Sequence, residues 1–358
     1  MRNGIELVLH PGHGKCGSTS IQVDVYKRRA ELEERGVFLP DANFRVGAEP
    51  GPLASERAYP GQFYPIWYLE DLMCGHVPLS HFERRLDQAL EHAADRGCRR
   101  LLISSENLSN LVYAYALELH RLIASRFEQS KIFYYVRRQD DWILSSWQQW
   151  HHKAGVTLEA WVDHCIEQRT PDFLATANSF EDVYGSGSVS VVPLHGSAFG
   201  AGGLLPDFYR RADIEMADDS RGDPISNQAV NPYLCDILAR IPSVFESQHH
   251  DMEVAARLAR HVSSADLLFR RHGEFMNDAV RNRILDHFAP ANRELHRRYF
   301  DHLDFGALFG RVPTVAESSR TATEIEAIKE ILAIQMDLLM KLMKSSEDQA
   351  RPGALKIA

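Results

Sequence analysis

The chain has few cysteines, no excess of positive charge and no long apolar run, and each shortage removes a class of protein. Its five cysteines, Cys16, Cys74, Cys98, Cys165 and Cys235, include no Cys-x-x-Cys pair, and the count is odd. That disfavours a disulfide framework and a zinc site, and a reducing cytoplasm is the expected setting. Lys+Arg number 40 against 49 Asp+Glu, a net charge of −9. Non-specific nucleic-acid binding needs a basic footprint, so no nucleic-acid partner is expected, although a local basic pocket is compatible with this balance. No stretch reaches the ~20 apolar residues that span a bilayer, so no transmembrane segment is expected. The apolar run near Met1 is too short for a secretory signal. There is no internal repeat and no low-complexity segment. What remains is an ordinary globular mix, 44% hydrophobic and 25% charged over 358 residues. A chain of that length can build a core without metal or disulfide.

Residues 5–10 form a short apolar run ending at Pro11-Gly12, which predicts a buried strand. A glycine-rich turn follows, then helical spacing over 21–35 that stops before Gly36. Helices are expected over 63–73 and 79–96. In the second, Phe82, Leu86, Ala89 and Leu90 share one face, with Arg84, Arg85, Asp87 and Glu91 on the other. Further strands are expected over 100–106, 131–136 and 188–194, with helices over 113–127 and 139–153 and a mainly helical stretch from 195 to 303. Strands alternating with helices predict an α/β fold with a mainly parallel sheet, in which ligands bind beyond the carboxyl ends of the strands. Lys15, Glu106, Arg137 and His195 all fall at such ends. The segment 41–64, rich in Pro and Gly with Tyr59, Phe63 and Tyr64 near its end, reads as a long loop and a candidate lid.

The loop from His10 to Ser20, with Gly14, Lys15, Cys16, Gly17, Ser18 and Thr19 at its centre, carries the strongest chemical signal. Glycines admit a ligand close to the backbone, amide groups at a helix start attract an anion, and Lys15 adds charge. The loop suits a phosphate. It is not the G-x-x-x-x-G-K-[ST] sequence, whose last hydroxyl holds Mg²⁺. Cys16 follows the lysine, and a thiol is a poor Mg²⁺ ligand, so no metal is expected. A second signal is Arg137 at a strand end with Ser145 two helical turns into the next helix. Arginine binds phosphate bidentately and a serine hydroxyl can complete the site. Together the two motifs imply a ligand with two separated phosphate groups.

Lys15-Cys16-Gly17-Ser18-Thr19 resembles the Lys-Thr-Gly-Thr-Thr phosphosulfate loop of sulfotransferases. Tyr135-Val136-Arg137 followed by Ser145 resembles their 3′-phosphate motif. Pro206-Asp-Phe-Tyr209 and Ile284-Leu-Asp-His-Phe288, running to Asn292 and Tyr299, are similar to the distal part of bacterial members. The resemblance implies a P-loop-like three-layer fold over 1–312 that uses 3′-phosphoadenosine-5′-phosphosulfate as donor and no metal. It places Gly14, Lys15, Cys16, Gly17, Ser18 and Thr19 at the 5′ end of the donor, and Arg137 and Ser145 at the 3′-phosphate. The acceptor implied is a hydroxyl of a sugar, a glycolipid or a small metabolite. Cys16 and Ser18 stand where the pattern has threonine.

Sulfuryl transfer needs a base for the acceptor proton. Glu106, in Ser104-Ser105-Glu106-Asn107, occupies the strand end where similar cytosolic enzymes carry a histidine. The other reading of Glu106 is a helix cap or ion-pair partner, and His13, His10 and His195 are rival bases. Trp142, Trp147 and Trp150 extend the helix past Ser145, and core packing is the expected role of at least two of them. Beyond 312 the composition changes. An amphipathic helix over 322–344, within a segment 313–346, carries an approximate heptad seam of Ile325, Ile328, Leu332, Leu339 and Leu342, interrupted by Gln335. It either packs on the domain or forms a homodimer, and 347–358 reads as a flexible tail. A nucleotide-dependent kinase with a degenerate phosphate loop and a non-catalytic nucleotide-binding protein are the rival functions.

Overall fold

The structure is a computed structural model. It describes residues 4–46, 65–200, 202–216, 229–246, 253–263, 265–313 and 317–350. The candidate lid falls mostly on 47–64 and so lies outside the described residues, as does the tail from 351. In chain order the elements are β1 (Glu6–His10), α1 (Ser18–Lys27), α2 (Arg29–Glu34), β2 (Val37–Phe38), α3 (Ile66–Met73), α4 (Leu79–Asp95), β3 (Arg100–Ser104), α5 (Ala116–Ala124) and β4 (Ser130–Val136). There follow α6 (Gln139–Gln149), α7 (Leu158–Glu167), α8 (Phe173–Tyr184), β5 (Val189–Pro193), α9 (Leu204–Arg211), α10 (Pro232–Ala239), α11 (Glu253–His261), α12 (Asp278–Tyr299), α13 (Phe305–Phe309) and α14 (Glu317–Ala350).

The chain divides into two compact units, one of Met1–Arg138, Pro171–Ile225 and Phe288–Gly310, the other of Gln139–Thr170, Ser226–His287 and Arg311–Ala358. The first holds a five-stranded sheet in the order β2-β3-β1-β4-β5, parallel throughout. The fold is α/β, with the strand–loop–helix of β1 and α1 at the centre of the sheet. Leu7, Val8, Leu9, Leu101, Leu102 and Ile103 are fully buried. Strands covered on both faces need such continuous apolar runs, and this is why they are legible in the sequence. Because all the strands are parallel, their carboxyl ends share one edge, as the spacing of the polar clusters predicts.

Local differences have local causes. The helix expected over 21–35 begins at Ser18, because Gly17 takes a left-handed conformation (φ 84°) as its N-cap. It breaks at Arg28 (φ −95°, ψ 14°) into α1 and α2. Arg85, assigned to the exposed face of α4, is instead buried. It donates to the Asn43 carbonyl and its guanidinium lies 5.3 Å from the centre of the Tyr68 ring. A charged group is tolerated inside when its donors are satisfied. The sequence reading left α7 and α8 unassigned, yet both are capped by side chains, Thr157 accepting from the Ala160 amide and Asp172 from that of Ala175.

The second unit is helical. Its core joins Leu234 and Leu238 of α10 to Val262, Leu268 and to Ile331 and Ile334 of α14. Arg281, also buried, bonds Asp140 (2.6 Å) and Asp141 (3.2 Å). Trp147 is fully buried, donates to the Val156 carbonyl (2.8 Å) and stacks on Phe275, and Trp142 is buried too, so these two tryptophans pack the core as expected. The C-terminal helix is present and longer than its apolar pattern alone indicates. Among the described residues no helix is long and apolar enough to cross a membrane.

Candidate active site

The site is built in the first unit where the central strand runs into the glycine loop. His10 ends β1 fully buried, its Nδ1 2.8 Å from the Ser104 hydroxyl on the neighbouring strand. Gly12 must be glycine, because a Cβ there would lie 2.7 Å from the Ser18 Cβ and 3.2 Å from the His10 ring. Lys15 has φ 65°, a left-handed conformation rare for a side-chain-bearing residue. Such backbone is held only where its surroundings enforce it. With Gly17 also left-handed, the loop turns sharply onto the start of α1, where the Ser20 and Ile21 amides bond the Gly17 carbonyl and the amides of Ser18 and Thr19 precede the helical ladder. An anion is the natural ligand of that geometry.

The next strands deliver their residues to the same loop. Arg137, the first residue after β4, donates through Nη1 to the Lys15 carbonyl (3.4 Å). Its own amide bonds the Cys16 thiol. Glu106 opens a short 3₁₀ turn after β3 and accepts a 2.7 Å hydrogen bond from the Ser18 hydroxyl through Oε2. The Ser109 hydroxyl, at the end of that turn, is 3.1 Å from the Gly12 carbonyl. Lys15, Cys16, Ser18, Glu106 and Arg137, separated by up to 122 residues in sequence, thus form one cluster.

Each remaining candidate has a distinct place. The Cys16 thiol is buried, and burial pushes its pKa up to about 12 despite Arg137 nearby. Its thiol is therefore protonated, and position 16 has its backbone to offer an anion. Gly14 and Thr19 are half-buried on the loop and on the first turn of α1. His13 has its Nδ1 3.3 Å from the Gly14 carbonyl and its ring edge-on to Phe173. Burial lowers its pKa to about 4, and that of His10 to about 3, so both are neutral imidazoles at neutral pH. The Nε2 of His10 is buried without a hydrogen-bond partner among the described residues. His195 is exposed just after β5, where its Nδ1 accepts from the Ser197 amide (3.2 Å) and caps a 3₁₀ turn. Ser145 is buried on α6 of the second unit.

One carboxylate beside the cluster has no signal in the sequence. Glu70 of α3 accepts from the Asn107 amide (2.5 Å) and the Tyr113 hydroxyl (3.3 Å). Burial and then Glu70 push the Tyr113 pKa up to about 12. Asn107 follows Glu106 directly, so Glu70 steadies the turn that presents Glu106.

No family model and no curated protein matches this chain. Among solved structures it is similar to a sulfotransferase from Alicyclobacillus acidocaldarius, at 15% identity over 84% of this chain and 96% of that one, with a TM-score of 0.37.

Proposed function

We propose that the chain is a sulfotransferase, moving the sulfuryl group of 3′-phosphoadenosine-5′-phosphosulfate to an acceptor hydroxyl. The observation that carries this reading is the 2.7 Å hydrogen bond from Ser18 to Glu106. It fixes a carboxylate at the mouth of a loop suited to phosphate, beside the cations of Lys15 and Arg137. A kinase would need a hydroxyl for Mg²⁺ after the lysine, and Cys16 stands there with a buried thiol.

The donor supplies an activated sulfuryl group on its 5′-phosphate. Lys15 and the amide groups at the start of α1 hold that phosphate and offset the charge it gains as it departs. Glu106 takes the acceptor proton. The acceptor oxygen then bonds to sulfur, the bond from sulfur to the 5′-phosphate oxygen breaks, and its electron pair leaves with adenosine 3′,5′-bisphosphate. Arg137 is assigned to the 3′-phosphate; sequence spacing assigns Ser145 to the same role. His13 is the second candidate base, available because it is neutral. The acceptor is a sugar, glycolipid or small-metabolite hydroxyl. Five cysteines that form no disulfide suit a reducing cytoplasm.

The test is transfer from radiolabelled donor to a panel of hydroxyl acceptors, run in a metal chelator. Activity is expected to survive chelation. Glu106→Gln is expected to keep donor affinity and lower single-turnover transfer by roughly 10²–10⁴, the range for a lost general base. Lys15→Ala is expected to damage both. Near wild-type transfer by Glu106→Gln would reduce Glu106 to a capping residue and move the role to His13. Activity lost to chelation and restored by Mg²⁺ would favour the kinase.

A further inference from the structure

A helix that is apolar on two separate sides needs cover on both. On α14, Ala327, Ile331 and Ile334 are buried, the two isoleucines within the core of the second unit. At 3.6 residues per turn a second side, roughly 130° around the helix, carries Ile325, Ile328, Leu332, Met336 and Leu339, each about half exposed, and Leu342, which lies between the two sides, is exposed as well. This is the heptad seam of the sequence with Met336 added beside Gln335.

We propose that this stripe is the interface of a homodimer, in which the α14 helices of two copies pair along the seam from Ile325 to Leu342. Three observations favour a second copy. The spacing of Ile325, Ile328, Leu332, Leu339 and Leu342 is that of a and d positions, which are complementary to the same positions of an identical helix. With on the order of 100 Å² left on each of these six side chains, the stripe offers roughly 600 Å², about three-quarters of the ~800 Å² each partner gives to a stable interface. Beside it Glu326 pairs with Lys329 at 3.1 Å, and the stripe itself carries no charge. A neutral stripe does not repel its own copy, as a two-fold interface requires, and has no basic flank to hold an anionic membrane. The inference is independent of the reaction assigned to the first unit.

The test is sedimentation of the full chain from about 1 to about 100 μM, since self-association follows mass action. Twice the 40.6 kDa chain mass is expected. Leu332→Glu with Leu339→Glu, both at exposed positions, is expected to weaken association at least ~100-fold with the far-ultraviolet circular dichroism unchanged, while Leu332→Met keeps the dimer. If the double variant fails to fold, the wild-type mass decides alone. The single-chain mass at every concentration overturns the proposal. So does a dimer that survives the double substitution, or binding of single chains to phosphatidylcholine vesicles through this stripe.

Discussion

Arg137 serves two structures at once. Its Nη1 ties it to the Lys15 carbonyl, and its amide meets the Cys16 thiol, so the residue braces the loop that it is proposed to help load. The proposed role makes a specific demand. Arg137→Ala should weaken adenosine 3′,5′-bisphosphate by about 2–4 kcal/mol, the cost of truncating a charge-assisted phosphate contact. Adenosine 5′-phosphate, which lacks the 3′ group, should lose much less. Calorimetry on both ligands distinguishes the roles. Equal losses would mean that Arg137 acts only as a brace and does not read the 3′-phosphate. Cys16 marks the contrary case, a residue inside the loop whose side chain is turned into the core.

The element that matters most is the unit of β1, loop and α1. Its geometry depends on two glycines for different reasons. Gly17 supplies a left-handed backbone, whereas Gly12 supplies space, its missing Cβ leaving room for Ser18. Gly12→Ala would press on the Ser18 Cβ, which cannot swing away as the tip of a long side chain would. The expected cost is about 1–3 kcal/mol, as for overpacking in a core. Because Ser18 holds Glu106, the same change should also lower transfer more than it lowers donor affinity. A thermal melt and the single-turnover assay check both. An alanine variant with the wild-type melting temperature would show that the loop yields and that the close approach is not required.

At the scale of the whole first unit, buried histidines set the response to acid. His120 is fully buried, bonded to the Leu108 carbonyl and the Tyr184 hydroxyl at 2.8 Å each. Burial lowers its pKa to about 4 and that of His10 to about 3. The unfolded chain titrates these groups near their ordinary value of about 6.5, so between there and the folded values it binds more protons than the native state. Their stabilising contribution is therefore complete above pH ~6.5 and shrinks as pH falls towards the folded values. From pH 7.5 to 4.5 the loss should be about 2–3 kcal/mol for each histidine. The melting temperature should fall steadily across that window. A flat profile between pH 7 and 5 would show that these imidazoles are not held neutral by burial.

The sequence alone determined the parts whose cause is local. The runs 5–10, 100–106 and 131–136 read as buried strands because a parallel sheet covered on both faces demands unbroken apolar runs, and the structure places the strands at Glu6–His10, Arg100–Ser104 and Ser130–Val136; the loop glycines and Lys15 suggest a phosphate by type and order. Even the seam of α14 was visible as a heptad. Tertiary structure decided whatever depends on partners far along the chain. β2 is two residues long and exists only because Val37 and Phe38 pair with Arg100 and Leu101. Arg85 is internal because Asn43 and Tyr68 receive it. Glu70 joins the site through Asn107, 37 residues away, and Ser18 finds Glu106 across 88. Periodicity and turn chemistry are properties of neighbouring residues, so they are written locally. A hydrogen bond between distant side chains leaves no such trace, because its geometry comes into being only when the sheet sets the ends of its strands side by side.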